Sequence, residues 1–322
     1  MLHFDDNSSA PPDPESAPLP NAAGSAHDSP SPDAEAAATA ALGAPNFVFV
    51  QQPPPLVTVA QRRLSDANVR QDLRVPWGWL SLLVFVIVTV IGLIGLSVIA
   101  VIIYMGAGGS FEALQSSTRV QGLLSVIVQF FVDFGWLGFF AVMLRLIYRQ
   151  PFWRTIGWRP LETSRFPKAA AYFGLVMCGL ALGVAVVAAS NLFPPKGELP
   201  VEQLLQDRTT AMLFALMSVA VAPLAEETAF RGFLYPLIAR RFGVATGVIA
   251  TGVLFGLLHA SQLSGAWFQI GLLAGVGIVF TLARALTKTV ASSFVLHISY
   301  NSLQVIGMIV DTHGFRQMHG LH

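Results

Sequence analysis

Glu226, Glu227 and Arg231 stand inside an apolar stretch, between LFALMSVAVAPL and GFLYPLIA, where a bilayer-crossing helix should carry no charge. Ionisable side chains at that depth cost roughly 2.5–3.5 kcal/mol each on insertion scales, so they mark function more often than packing. Glu227 and Arg231 are four positions apart, which places them on one helix face and lets them pair. Glu226 is turned about 100° from Glu227 and shares that partner less easily, which suits a general base or acid. Two further apolar runs carry His259 and the pair His297 and Asn301. An imidazole and a carboxamide projecting from one face can both donate to an oxygen that is gaining negative charge. Each element also has a plainer reading as a buried ion pair or an interhelical hydrogen bond. Together they describe a reaction: Glu226 and His259 hold and deprotonate a water, or share a metal with His297, while His297 and Asn301 polarise a carbonyl. That is amide-bond hydrolysis in or beside a membrane.

Such a set needs apolar elements to hold it, and the composition supplies them. Of 322 residues, 54% are hydrophobic and only 11% charged, against about a quarter charged in soluble domains. The expected class is all-α, a polytopic transmembrane helical bundle. Apolar segments fall near 79–104, 121–146, 169–193, 212–239, 244–260, 267–283 and 290–310, about seven spans. A break near Pro223 or a re-entrant turn over Ala260–Gly265 would make eight segments. The single cysteine, Cys178, excludes an intrachain disulfide and a cysteine metal cage. Neither HExxH nor GxSxG occurs. Of the seven histidines, only His259 and His297 fall in apolar runs.

Residues 1–75 read as a disordered acidic tail. Their first 60 residues are rich in Pro, Ala, Ser and Asp, without Lys or Arg, and are too polar at the start for a signal peptide. Basic residues collect before the first span and in alternate connections, above all Arg145, Arg149, Arg154, Arg159, Arg165 and Lys168. The positive-inside rule then predicts a cytoplasmic N-terminus, in a plasma-membrane protein. Trp77 and Trp79 suit the membrane interface, and Asp133 is expected to pair with a base such as Arg231. Gly271/Gly275 and Gly243/Gly247 have the spacing of close helix contacts.

EETAFR, FGLLH and HISYN match the motifs EExxxR, FxxxH and HxxxN, in that order on successive apolar segments. The chain thereby resembles the CAAX protease and bacteriocin-processing family of intramembrane endopeptidases, which includes the type II CAAX prenyl endopeptidases. The resemblance covers roughly 208–306; Gly157–Pro160, GWRP, is similar to a basic turn that precedes this domain in the family. The chain is accordingly expected to divide into N-terminal helices with the basic loop at 76–207, whose first span has no counterpart in the family, and a family-like catalytic core at 208–322. The resemblance implies Glu226 as the water-activating residue with His259 beside it, Glu227 and Arg231 as support, and His297 with Asn301 as the oxyanion hole. The family has been described both as metal-independent glutamate-type proteases and as metalloproteases. A divalent cofactor such as zinc, if used, would take Glu226, His259 and His297. Expected partners are membrane lipid and a peptide or lipidated protein substrate, prenylated or not, with no nucleic acid. The alternatives are a non-catalytic scaffold or immunity protein of the same fold, and a proton-coupled transporter. The transporter would favour inverted repeats, and no such internal symmetry is visible.

Overall fold

The computed structural model describes residues 69–318, apart from 165, 196, 198, 201 and 203–205. The tail expected over residues 1–68 lies outside the described residues. All regular structure among the described residues is helical. In chain order the helices are α1 (Trp79–Gly106), α2 (Phe111–Ser116), α3 (Thr118–Val142), α4 (Phe152–Thr155) and α5 (Lys168–Leu192). They continue with α6 (Arg208–Ala220), α7 (Ala222–Glu227), α8 (Tyr235–Phe242), α9 (Val244–Leu258), α10 (Trp267–Thr287) and α11 (Val290–Asp311). Wide π turns extend α3 over Met143–Ile147 and join α7 to α8 over Thr228–Leu234.

Six described helical stretches are long and apolar enough to cross a membrane, with Arg208–Phe242 acting as one interrupted stretch. The chain is a multi-pass membrane protein. The fifth apolar segment, α9, has 15 residues, about 22 Å at 1.5 Å per residue, and falls short of the ~30 Å of hydrocarbon. α1 buries no residue and faces its surroundings with Leu, Val and Ile all round, as suits a lipid-facing helix. Its anchor is Phe85, whose ring lies 4.8–5.7 Å from those of Phe139, Phe140, Trp136 and Phe233.

The interrupted stretch breaks for an identifiable reason. Pro223 has no N–H to return to the carbonyl of Val219, so α6 ends at Ala220 and α7 starts anew. Pro236 acts similarly further on. The helix widens just before it, with the Tyr235 amide reaching back five residues to the Phe230 carbonyl. Gly232 sits in this π turn because a Cβ there would lie 2.7 Å from Ile156 Cγ1.

Three features differ from expectation. Residues 69–75, assigned to the tail, are packed: Leu73 is buried and Arg284 Nη1 donates to Asp72 Oδ2 at 3.0 Å. Trp77, expected at the interface, is only 1% exposed. Its indole N–H finds a buried acceptor, the Phe233 carbonyl, at 3.1 Å. The tightest helix contact uses other glycines than expected. Gly252, Gly256 and Gly277 carry the α9–α10 crossing, and a Cβ at Gly256 would lie 2.6 Å from the Ala274 backbone N. Gly271, Gly275 and Gly243 have nothing within 4 Å of an added Cβ. Gly275 and Gly277 are two positions apart, about 200° around the helix, so only one of them can face α9. Gly247 does make a close contact, against Ala239.

Candidate active site

The break at Val221 and the π turn that follows re-aim the side chains of the interrupted stretch. Glu227 closes α7 and is fully buried. Its Oε1 accepts from Arg231 Nη1 at 2.9 Å and from His297 Nδ1, on α11, at 2.9 Å. The pairing of Glu227 with Arg231 expected from their spacing is present. Arg231 is fully buried too, and each of its nitrogens is directed: Nε donates to Thr281 Oγ1 at 3.2 Å and Nη2 to the Gly277 carbonyl at 3.0 Å. The guanidinium also lies 4.6 Å from the Phe255 ring centre and 5.3 Å from that of Phe280. A charge removed from water survives only with such compensation, from a partner ion, hydrogen bonds and aromatic faces.

A carboxylate only accepts, so the bond to Glu227 puts a proton on Nδ1 of His297 and turns Nε2 outward. That Nε2 lies 3.8 Å from Glu226 Oε2. The Phe280 ring, 4.8 Å from the imidazole, packs beside it. Glu226 differs from its neighbour: its side chain is 17% exposed, and among the described residues the His297 approach is its one ion-pair contact. Two adjacent glutamates thus have separate surroundings, because a step of about 100° along a helix moves one from full burial to partial exposure.

His259 follows α9 as its last capped position, with Nδ1 hydrogen-bonded to the Phe255 carbonyl at 2.7 Å. A carbonyl also only accepts, so Nδ1 of His259 carries a proton there and Nε2 is the ring nitrogen outside that bond. Phe255 links the two histidines, its ring centre lying 4.8 Å from that of His259 and 5.9 Å from that of His297. Asn301, one turn beyond His297, takes a different partner. Its Nδ2 donates to the Ser218 carbonyl at 2.7 Å, in the last turn before the helix break. The structure therefore joins Glu226, Glu227, Arg231 and His297 directly, connects His259 to them through Phe255, and ties Asn301 to the backbone ahead of the break.

The set named for a metal does not fit one in this arrangement. Among the described residues no three His, Cys, Asp or Glu side chains come together as ligands; the Nδ1 bonds of His297 and His259 would themselves leave Nε2 for a metal, as in ordinary metal-bound histidines. Asp133 does not pair with Arg231. It is buried on α3, accepts from Gln129 Nε2 at 2.8 Å, and lies within electrostatic reach of Glu226. Arg231 is already occupied by Glu227, which explains the difference.

Sequence reasoning missed several supports. Thr281 and Gly277 hold Arg231 from α10, and only tertiary packing brings them there. Trp158 Nε1 donates to Thr228 Oγ1 at 3.1 Å, docking the GWRP turn directly beside the glutamates. The same turn holds the start of α11, where the Val290 amide donates to the Gly157 carbonyl at 3.0 Å. Buried Trp donors seek a partner, so the GWRP tryptophan was the available signal.

Residues 208–303 match the family model described as Type II CAAX prenyl endopeptidase Rce1-like. No curated protein and no solved structure matches the chain. The matched segment runs from α6 into α11 and contains Glu226, Glu227, Arg231, His259, His297 and Asn301.

Proposed function

We propose, on the premise that residues 208–303 form an Rce1-like domain consistent with the CAAX protease and bacteriocin-processing family, that the chain is an intramembrane endopeptidase. Its substrate is a membrane-associated peptide or protein, prenylated or otherwise lipidated. The observation that carries this reading is the unequal commitment of the two glutamates. Glu227 is spent on Arg231 and His297, whereas Glu226 is part-exposed and, among the described residues, has a single ion-pair contact, His297 Nε2 at 3.8 Å. A carboxylate so placed can take a proton from water.

In the proposed reaction the water oxygen attacks the scissile carbonyl carbon as Glu226 accepts one of its protons. The carbonyl electron pair moves onto oxygen. His297 and Asn301 stabilise that oxyanion. With Nδ1 on Glu227, donation from Nε2 requires the doubly protonated imidazole, and the Asn301 amide keeps a second N–H beyond the one given to Ser218. The carbon–nitrogen bond then breaks and Glu226 passes its proton to the departing nitrogen. A carboxylic acid and an amine result, and Glu226 is ionised again. His259 orients the water beside Glu226 through its Nε2. No step uses a metal.

The test is cleavage of a quenched, farnesylated peptide and its unlipidated twin by detergent-purified wild type and Glu226→Gln, each with and without a chelator. Wild-type cleavage that the substitution abolishes and the chelator leaves intact is expected. A Glu226→Gln protein that cleaves at the wild-type rate would sink the reading, and chelator-sensitive activity would replace its protein-only chemistry with a metal route.

A further inference from the structure

At the end of the bundle where the basic residues collect, a cavity of about 460 Å³ opens between the segment before α1, the α3–α5 connection and the α10–α11 turn. Its wall carries Arg74, Arg154, Arg159, Arg284 and Lys288 against a single carboxylate, Asp72. That carboxylate is already engaged, by Arg70 at 3.1 Å and by Arg284 at 3.0 Å. Arg284 points to a ligand. It is 2% exposed and lines the cavity; Nη1 and Nη2 donate to the Asp72 carboxylate and carbonyl at 3.0 and 3.3 Å, and its Nε has no hydrogen-bond partner among the described residues. A buried N–H without an acceptor is costly, more so on a charged group. Space for the guanidinium is kept by Gly157 at φ +96°, where a Cβ would lie 3.4 Å from Arg284 Nη2. Trp153, next in sequence to the cavity-lining Arg154, is exposed, which suits the headgroup level of a bilayer.

We propose that this cavity binds a phosphate-bearing anion, either the headgroup of an anionic phospholipid or a soluble phosphate ester. A planar guanidinium matches two phosphate oxygens at once, and its charge-assisted hydrogen bonds are about twice as strong as neutral ones. Basic residues at the end of a membrane bundle are, in addition, attracted to anionic leaflets by about 1 kcal/mol each. None of Glu226, Glu227, Arg231, His259, His297 and Asn301 lines the cavity, and the proposal does not depend on the proteolytic reading.

The experiment is thermal unfolding of the detergent-purified full chain, titrated with dioctanoyl phosphatidylglycerol, dioctanoyl phosphatidylcholine, glycerol 3-phosphate or inorganic phosphate. A saturable rise in the unfolding midpoint with phosphatidylglycerol is expected. The combined variant Arg154→Gln, Arg159→Gln, Lys288→Gln should weaken it at least about tenfold. All three side chains are exposed, so the fold is spared. Arg284→Lys, which keeps the charge and loses the fork, should weaken it as well. A response confined to phosphatidylglycerol assigns the site to lipid headgroups, and an equal response to glycerol 3-phosphate or inorganic phosphate assigns it to soluble phosphates. Absence of any saturable response to the phosphate probes, an equal response to phosphatidylcholine, or unchanged binding by the combined variant overturns the proposal.

Discussion

Glu226 and Glu227 share a side chain and a helix, yet substitution should harm them in different ways. Glu226→Gln is expected to lower cleavage by about a hundred- to ten-thousand-fold, the usual worth of a general base, while the unfolding midpoint stays that of wild type. Glu227→Gln leaves Arg231 and its neighbours around a lost counter-charge, and breaking a buried pair costs about 3–5 kcal/mol. It should therefore appear first as lost thermal stability and poor recovery in detergent. Arg231→Lys belongs with Glu227, since one ammonium cannot reach Glu227, Thr281 and Gly277 in the three directions the guanidinium takes. At this scale the sequence was most legible where the chemistry is local. The Glu227–Arg231 pair follows from a spacing of four on a helix, and the structure has it. Where Asn301 finds its partner could not be read, because Ser218 is one of many polar groups and only the packed helices select it; the Gln129–Asp133 bond, by contrast, has the same spacing of four on one helix and was open to the same reading.

Helices, rather than residues, decide how close the histidine-bearing segments come. α9 crosses α10 through Gly252, Gly256 and Gly277, each of which places backbone where a side chain would stand. Gly256→Val should push the two helices apart at a cost of about 1–3 kcal/mol, as overpacked cores do. Gly271→Ala, on an open face, should change stability by no more than about 0.5 kcal/mol. Thermal unfolding of the two variants side by side distinguishes contact from composition. A small-residue spacing by itself could not, since Gly271 and Gly275 have the spacing without the neighbour. The helix break was legible because Pro223 and its missing N–H are written in the sequence. The π turn before Pro236 was not, since widening is only one of several ways a helix yields to proline.

Across the whole molecule, the helix class and most span boundaries were legible from hydropathy, because lipid imposes a length and a composition that leave a strong trace. What hydropathy cannot show is which segment packs inward. The stretch before α1 looked like tail and interface, and its tryptophan turned out to be core. Topology is open to direct measurement. With Cys178 replaced by Ala, a cysteine placed at Arg149 should react with an impermeant maleimide only from the cytoplasmic side, and one placed at Gly108 only from outside. The reverse pattern would invert the orientation that the basic connections predict.

The shortness of α9 has a consequence for the surrounding lipid. A helix of 15 residues leaves a hydrophobic mismatch of roughly 8 Å, which a bilayer meets by thinning or by letting the aqueous surface dip. His259 sits at the end of α9 that turns toward α10. On the proposed reading, a dip at that end would shorten the route of water to Glu226, and a substrate segment would not have to be drawn to the bilayer midplane to be cut. Lipid chain length becomes a control on rate: cleavage should be faster in short-chain vesicles than in long-chain ones of the same headgroup.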